Sequence, residues 1–248
     1  MGILFHFGRY ALFIRSVFSK PDKYKIFFRR IVDEMVQLGI SSIGIVTIIS
    51  FFIGAVVTLQ TAYNLYSHMP IIPGYVVSLV TRDSVLLEFA STLICLILAG
   101  KVGSHVASEI GTMRVTEQID ALDLMGINSA NYLVLPKVLG LMIMVPFLSI
   151  LSMAVGIFGG WISGAVTGAV LSADYIQGIV YAFVPFFIVH SIVKSVVFAF
   201  IITSIAGYCG YYTSGGSLEV GRSSTQAVVQ SSIWILVFDL ILTKLLLP

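Results

Sequence analysis

The sequence predicts an all-α, polytopic helical membrane protein, and three observations carry that prediction. Hydrophobic residues make up 58% of the 248 and charged residues only 10%, against about 25% charged in a soluble globular domain. Mean hydropathy is +1.01. Apolar runs of about 20 residues, long enough to cross a hydrocarbon core, recur along the chain. So little charge cannot cover a water-facing surface, which excludes a soluble enzyme. It also excludes a disordered chain, which requires low hydrophobicity and high charge. The formal net charge of +2, with no basic patch interleaved with aromatics outside the N-terminus, does not suit a nucleic-acid binder. Cys95 and Cys209 lie in apolar segments and form neither a disulfide framework nor metal spacing.

Five spans follow in order. Ile40 to Ala62 carries no charge. The second runs from Val85 to about Ala107 and contains Glu88, with Lys101 and His105 toward its far end. Val138 to Ala173 carries no formal charge, but at about 1.5 Å per residue it is too long for one crossing. The third span is therefore placed at Leu139 to Gly160, followed by a helical extension or a short surface helix before Asp174. The fourth, Phe183 to Tyr208, contains His190 and Lys194, and the fifth, Thr225 to Leu246, contains Asp239. Arg9 and Arg15 interrupt the N-terminal apolar run and no small-residue cleavage site follows, so this segment is not read as a cleaved signal. Residues 22 to 39 place Phe28, Ile31, Val32, Met35 and Leu38 at helical steps opposite most of the charges. That pattern predicts an interfacial amphipathic helix, or a soluble one packed on a partner. One domain over 1–248 results, with 1–39 as the N-terminal segment and 40–248 as the bundle.

Seven of the 14 Lys and Arg precede residue 31: Arg9, Arg15, Lys20, Lys23, Lys25, Arg29 and Arg30. With five spans, Lys101, Arg114, Lys137 and Arg222 fall on the same side, and only Arg82 and Lys244 on the other. The positive-inside rule then sets the N-terminus in the cytoplasm and the C-terminus outside. Ser152, Gly156, Gly160, Gly164 and Gly168 recur every fourth residue, as do Ala99, Gly103, Ala107 and Gly111. Small residues at that spacing let helix backbones approach closely, within a chain or across a dimer.

The longest polar connection, Gly100 to Pro136, lies between spans two and three, on the cytoplasmic side. It holds Glu109, Arg114, Glu117, Asp120 and Asp123. Thr116 is placed to cap a short helix whose first turn carries Glu117, the acid lying at the positive helix end. Ile119, Leu122 and Met125 make its apolar face, and Gly126 ends it in the left-handed conformation. Such a helix suits docking in a partner's groove. Its acidic face argues against the alternative, a helix lying on the negative inner leaflet. Catalytic and nucleotide-binding motifs are missing: Gly100-Lys101 is followed by Val102, so no phosphate-binding loop forms, and neither HExxH nor G-x-S-x-G occurs. The four histidines, at 6, 68, 105 and 190, are scattered. The expectation is a protein that is not an enzyme and binds no cofactor of its own.

The stretch AGKVGSHVASEIGTMRVTEQIDALDLMGINSANYLVLPKVL closely resembles the signature of the MlaE-like permeases of ABC transporters, approximately AGRxGSxxxAEIGTMxVTEQIDALxxMGxxPxxYLVxPRxLA. Ser214 to Val229, SGGSLEVGRSSTQAVV, resembles a second family pattern, and Lys194-Ser195 before Val196, Val197 and Phe198 a third. The resemblance covers about residue 35 to the end. Departures are Leu87-Glu88-Phe89-Ala90-Ser91, which keeps only the glutamate of a family Arg-Glu-x-Gly-Pro element, Lys101 and Lys137 for arginine, and Asn128-Ser129 for a polar-Pro pair. The resemblance implies one permease domain acting as a homodimer in a bacterial inner membrane. It implies a cytoplasmic ABC ATPase, carrying ATP and Mg2+, docked around Glu109 to Leu124. It further implies a periplasmic MCE-domain protein and, in some systems, a STAS-domain subunit, with phospholipid as substrate.

Glu88, Lys194 and Asp239 stand in three different spans, and a charge near the bilayer centre costs about 2.5–3.5 kcal/mol on insertion scales, so it faces a partner or water. His190, one turn before Lys194, falls on the same face. These four either line a lipid path and steer a headgroup or form a structural ion-pair network. Phe51, Phe52, Leu59 and Tyr63, with Phe183, Phe186 and Phe187, are candidates for an apolar wall or for ordinary packing. Two rival functions remain open: a proton-coupled secondary transporter using the three charges, and a non-transporting membrane scaffold.

Overall fold

A computed structural model describes residues 3–19, 24–68 and 72–246. Among these residues the chain is helical, with no strand. Eight helices follow in order: α1 (Ile3–Val17), α2 (Lys25–His68), α3 (Tyr75–Val115), α4 (Gln118–Leu124), α5 (Ser129–Thr167), α6 (Ser172–Val180), α7 (Phe186–Tyr211) and α8 (Ser217–Leu246). Five of them, α2, α3, α5, α7 and α8, are long and apolar enough to cross a membrane.

All five expected spans are present; four of the observed helices outrun them, and α7 lies three residues downstream of the expected Phe183–Tyr208. The reason is physical: polar residues flanking an apolar stretch continue its backbone hydrogen bonding at no cost in water. α8 begins at Ser217 rather than near Thr225, and its polar first turns carry an Arg222–Glu219 pair at 2.6 Å. The amphipathic segment expected over 22–39 and the span expected from Ile40 form one continuous helix, with residues 22 and 23 outside those described. A π-helical stretch at Met35–Gly39 and a 3-10 turn at Ile40–Ser42 shift its face without breaking it. Ile31 and Leu38 of the expected apolar face are buried, whereas Phe28 and Val32 are exposed. Lys20 and Lys23 also lie outside the described residues. α5 runs unbroken from Ser129 through Pro136 and Pro146 to Thr167, longer than the Leu139–Gly160 span predicted for it. The short helix that follows, α6, contains Asp174 rather than preceding it. α1 was not anticipated, because Arg9 and Arg15 read as breaks in an apolar run.

The chain divides into two compact units. The first comprises Met1–Ser41, Cys95–Val145 and Val196–Pro248. Here α1 is seated on the end of α7. Phe13 and Val17 are buried, and the Phe13 ring meets Tyr208, Tyr211 and Tyr212 at 5.4–5.9 Å. Tyr10 donates to Ser204 Oγ at 2.8 Å, and burial pushes its hydroxyl above the ordinary tyrosine pKa. Arg9 lies 3.7 Å over the Tyr212 ring, so its charge is held by an aromatic face while its stem covers apolar surface. Asn131 closes the end of α1 by donating to the Val17 and Ser19 carbonyls, each at 2.7 Å. The small residues Ala99, Gly103, Ala107 and Gly111 are all buried, and a side chain at Gly210 would press on the Ala107 carbonyl oxygen.

The second unit comprises Ser42–Ile94 and Pro146–Ser195. Its centre is a contact of two helix backbones, α2 and α5. A Cβ at Gly54 would overlap the Gly156 carbonyl oxygen, and one at Gly159 the Phe51 carbonyl oxygen. A Cβ at Gly160 would overlap the Tyr175 and Thr58 hydroxyls. Ser50 donates to Ser152 at 2.8 Å across the same seam. A Cβ at Gly156 would meet Val85 at 3.2 Å, whereas one at Gly164 has only ordinary contacts. Gly168 is a correction: it lies beyond α5 at φ +69° with nothing near its Cβ position, and it ends the helix rather than packing one. Tyr175 is buried with Ala62, Val77 and Val170, and it donates to the Ile157 carbonyl at 3.1 Å.

Replacing Gly54 with valine forces two backbones apart at their tightest point. A loss of about 1–3 kcal/mol is expected for such overpacking. It is read as a lowered unfolding temperature in mild detergent beside Gly44→Val, whose Cβ meets nothing and which stays close to wild type.

Candidate functional site: ionisable groups held inside the spans

Glu88 sits in a π-helical stretch of α3, Val85–Leu93, a backbone form that concentrates at functional sites. Its Oε1 accepts from Lys194 Nζ at 2.9 Å, and its Oε2 accepts from Thr92 Oγ1 at 3.3 Å. Lys194, on α7, is fully buried and also reaches the Leu87 carbonyl at 3.4 Å. His190, one turn earlier, is buried too, as the shared face requires. Glu88 and Lys194 are therefore paired with each other. Asp239, half-buried on α8, belongs to the first unit.

Glu88 opens on a groove of about 390 Å³. Leu79, Val80, Leu87 and Phe89 give it an apolar wall, and Asp83, Ser84 and Glu88 a polar one. Of the expected wall residues, Phe187 packs against Val85, Leu86, Ala90 and Met153. Phe52, Tyr63, Phe183 and Phe186 are exposed.

Arg82, read from the sequence only as a charge on the far side, is 2% exposed. Its Nε is 2.8 Å from Asp83 Oδ1, and it donates to the carbonyls of Ile179 at 2.7 Å and Tyr181 at 2.8 Å, with Gly178 at 3.4 Å. These are carbonyls that the end of α6 leaves without helical partners. The planar five-donor fork of arginine suits several acceptors at once.

The segment between α3 and α5 departs from expectation at its start. Thr116 does not cap α4. Its Oγ1 donates back to the Thr112 carbonyl at 2.8 Å and closes α3. Glu117 takes the N-cap position instead, in the left-handed region at φ +61° and without a side-chain cap. The far end is as predicted. Gly126 is at φ +76°, with Gly126 N bonded to Asp123 O at 3.0 Å and Ile127 N to Leu122 O at 3.1 Å, a Schellman end. Ile119 is buried and Leu122 half-buried, but Met125 is exposed beside Leu124, which is 89% exposed. Asp120 pairs with Arg114 at 2.7 Å, and Asp123 accepts from Ser129 N at 3.4 Å.

The sequence groups Glu109 with α4; the structure places it on α3. Lys137, 3% exposed, is 2.8 Å from Glu109 and 2.7 Å from Glu34. This bridge joins α2, α3 and α5. Sequence reading missed Glu34 and Lys137 as a site, because an acid in an amphipathic helix and a lysine far downstream carry no shared pattern. Among the described residues, no group of three His, Cys, Asp or Glu is placed to hold a metal ion.

Fold and charge placement define a multi-pass helical membrane protein that holds ionisable groups within its spans. Comparison with known proteins narrows this class. The family model described as permease MlaE matches residues 31–245. A probable ABC transporter permease protein of Rickettsia bellii is 36% identical over 96% of this chain and 91% of its own. One of Synechocystis is 35% identical over 88% of this chain and 82% of its own. The chloroplastic protein TRIGALACTOSYLDIACYLGLYCEROL 1 of Arabidopsis thaliana is 32% identical over 90% of this chain and 63% of its own. The chain belongs to the MlaE permease family, and it is a transporter permease.

Lys137→Met leaves two carboxylates facing each other without their cation. A destabilisation of about 3–5 kcal/mol is expected for breaking a buried pair from one side. The measurement is thermal unfolding of the purified protein, in which Lys137→Arg should retain most of the wild-type stability.

Proposed function

We propose that this permease moves phospholipid, using ATP hydrolysed by a partner subunit, between a bacterial inner membrane and a periplasmic MCE-domain protein. The observation that carries this reading is the Glu88–Lys194 pair beside a groove with one apolar wall. A lipid has the same two-sided character. Its phosphate competes with Glu88 for Lys194, and its acyl chain lies along Leu79, Val80, Leu87 and Phe89. The released carboxylate then meets the amine of a zwitterionic headgroup. Glu88, Lys194 and His190 belong to this path. The name of the Arabidopsis relative refers to a glycerolipid, which supports a lipid cargo.

The chain carries no ATPase motif, so ATP and Mg2+ belong to a cytoplasmic ABC ATPase. The docking element is α4, presenting Leu124 and Met125 with the acids Glu117, Asp120 and Asp123, and with Arg114 and Thr116 forming its base. Two copies of the chain form the working unit. Ile233, Trp234, Leu236, Val237, Leu240 and Ile241 of α8 are exposed in the single chain, an apolar face for a second copy. The N-terminus lies in the cytoplasm and the C-terminus in the periplasm, by the distribution of Lys and Arg. A STAS-domain subunit on the ATPase completes the complex in some systems.

The chain reconstituted alone in phospholipid vesicles should leave lipid distribution unchanged, and adding the ATPase with Mg-ATP should start movement. Transport by the isolated chain would overturn the reading. Lys194→Ala should keep the ATPase bound while lowering lipid transfer at least tenfold, measured with a fluorescent phospholipid. Leu124→Asp should lose the ATPase in detergent pull-down while the permease itself still folds.

A further inference from the structure

In the first unit, the last turns of α3 and the start of α8 enclose a second groove, of about 480 Å³, and every residue lining it is polar. The one charge in it left uncancelled is a cation. Glu109 is answered by the buried Lys137 at 2.8 Å. Lys101 is exposed, and among the described residues it has no carboxylate partner. Its ammonium is turned onto the Ser41 carbonyl and lies 3.4 Å from Ser41 Oγ. Those oxygens solvate the charge without cancelling it, and they take at most two of its three hydrogens. The hydroxyls beside it have spent their single hydrogens. Ser104 Oγ donates to the Gly100 carbonyl, and Ser224 Oγ to the Ser104 carbonyl at 3.1 Å. At this end of the groove the free donor is therefore the ammonium.

Three sequence boundaries meet at this lysine. Ser41 stands at the head of the charge-free run Ile40 to Ala62, Ser224 stands next to the expected start of the fifth span at Thr225, and Lys101 is the first charge after Glu88 on α3. The hydrogen bonds that join these segments set Lys101 at the edge of the hydrocarbon layer, at the level of the lipid headgroups. Toward the membrane core, Leu96 and Ile97 lie about one turn back on the same side of α3 and are only half-buried. The lysine stands on a π-helical stretch, Ala99–Gly103, as Glu88 does on its own. We infer that this end of the groove holds the phosphate of an inner-leaflet phospholipid against Lys101. The polar lining admits the headgroup and offers no wall for an acyl chain, so the tails stay in the hydrocarbon beside Leu96 and Ile97. Lysine meets a phosphate as a point charge and needs no second donor in a fixed plane. The inference rests on the lipid cargo and the orientation proposed above, and it adds a lipid position in the first unit.

The test is calorimetric titration of the full chain in mild detergent with dihexanoyl-phosphatidylglycerol, carrying Lys194→Ala to silence the groove at Glu88. Saturable binding should remain. Adding Lys101→Gln should weaken it by about tenfold or more, the worth of a hydrogen bond to a charged group. Glutamine still donates to the Ser41 carbonyl, so this change removes charge and keeps the tie between helices. Lys101→Arg should bind nearly as the lysine does. Equal weakening in both variants marks a structural tie, and no change in either marks a bystander; each overturns the inference. Displacement of the lipid by inorganic phosphate at equal concentration assigns the lysine to free anions and overturns it too. So does loss of co-purified ATPase from Lys101→Gln with lipid binding unchanged, which assigns the lysine to a protein partner. If Lys101→Gln does not fold, His105→Glu decides, because it sets a carboxylate one turn from Lys101 at an exposed position. A several-fold loss of binding then supports the inference, and unchanged binding overturns it. A wild-type chain that binds no phospholipid in either groove defeats the lipid cargo itself, whereas binding lost wholly with Lys194→Ala defeats this inference alone.

Discussion

Buried cations must be answered, and three of them organise this molecule. Arg82, Lys137 and Lys194 are each between 0% and 3% exposed. An unpaired charge in a low-dielectric interior is costly, and removing one partner of a buried pair costs far more than an exposed pair contributes. Each cation therefore gathers acceptors from segments remote in sequence. Lys194 takes Glu88 across 106 positions, and Lys137 takes Glu34 across 103. Arg82 gathers carbonyls at the end of α6, nearly a hundred residues away. Apolar surface drives the helices into the membrane but selects few neighbours there, because lipid is as apolar as leucine. Within each unit, charge and close glycine contact supply the selectivity that hydrophobicity lacks.

The fold was largely legible because the bilayer imposes a length rule that composition satisfies openly. All five spans were placed, and the left-handed turn at Gly126 was read from one glycine after an apolar step. The helix ends were not, because polar residues such as Ser217 to Ser224 show no apolar period and still extend a helix. α1 was hidden for a related reason. Arg9 looked disruptive until the Tyr212 ring beneath it was visible, and that ring is about two hundred residues away.

The site was legible in its chemistry and less so in its partners. Glu88 and Lys194 stood out as charges in apolar runs, and the structure pairs them. Arg82 and the Glu34–Lys137–Glu109 bridge gave no signal, since their meaning lies in carbonyls and carboxylates brought together only by folding. Thr116 fitted a capping rule that the chain does not use. Its hydroxyl bonds backward to Thr112, leaving Glu117 to make the turn. Gly168 fitted a four-residue repeat that the end of α5 interrupts. In both places a local rule met a competing use of the same residue.

The turn at Glu117 has a mechanical consequence. A non-glycine residue at φ +61° stores strain of about 1–3 kcal/mol that only its surroundings can sustain. Here burial of Ile119 and the Arg114–Asp120 bridge sustain it, and the glycine turn at 126 fixes the other side. α4 is thus tied at both ends, to α3 by the Arg114–Asp120 bridge and to the start of α5 by the bond from Ser129 N to Asp123, so its place between the two long helices is set by folding and not by a loose linker.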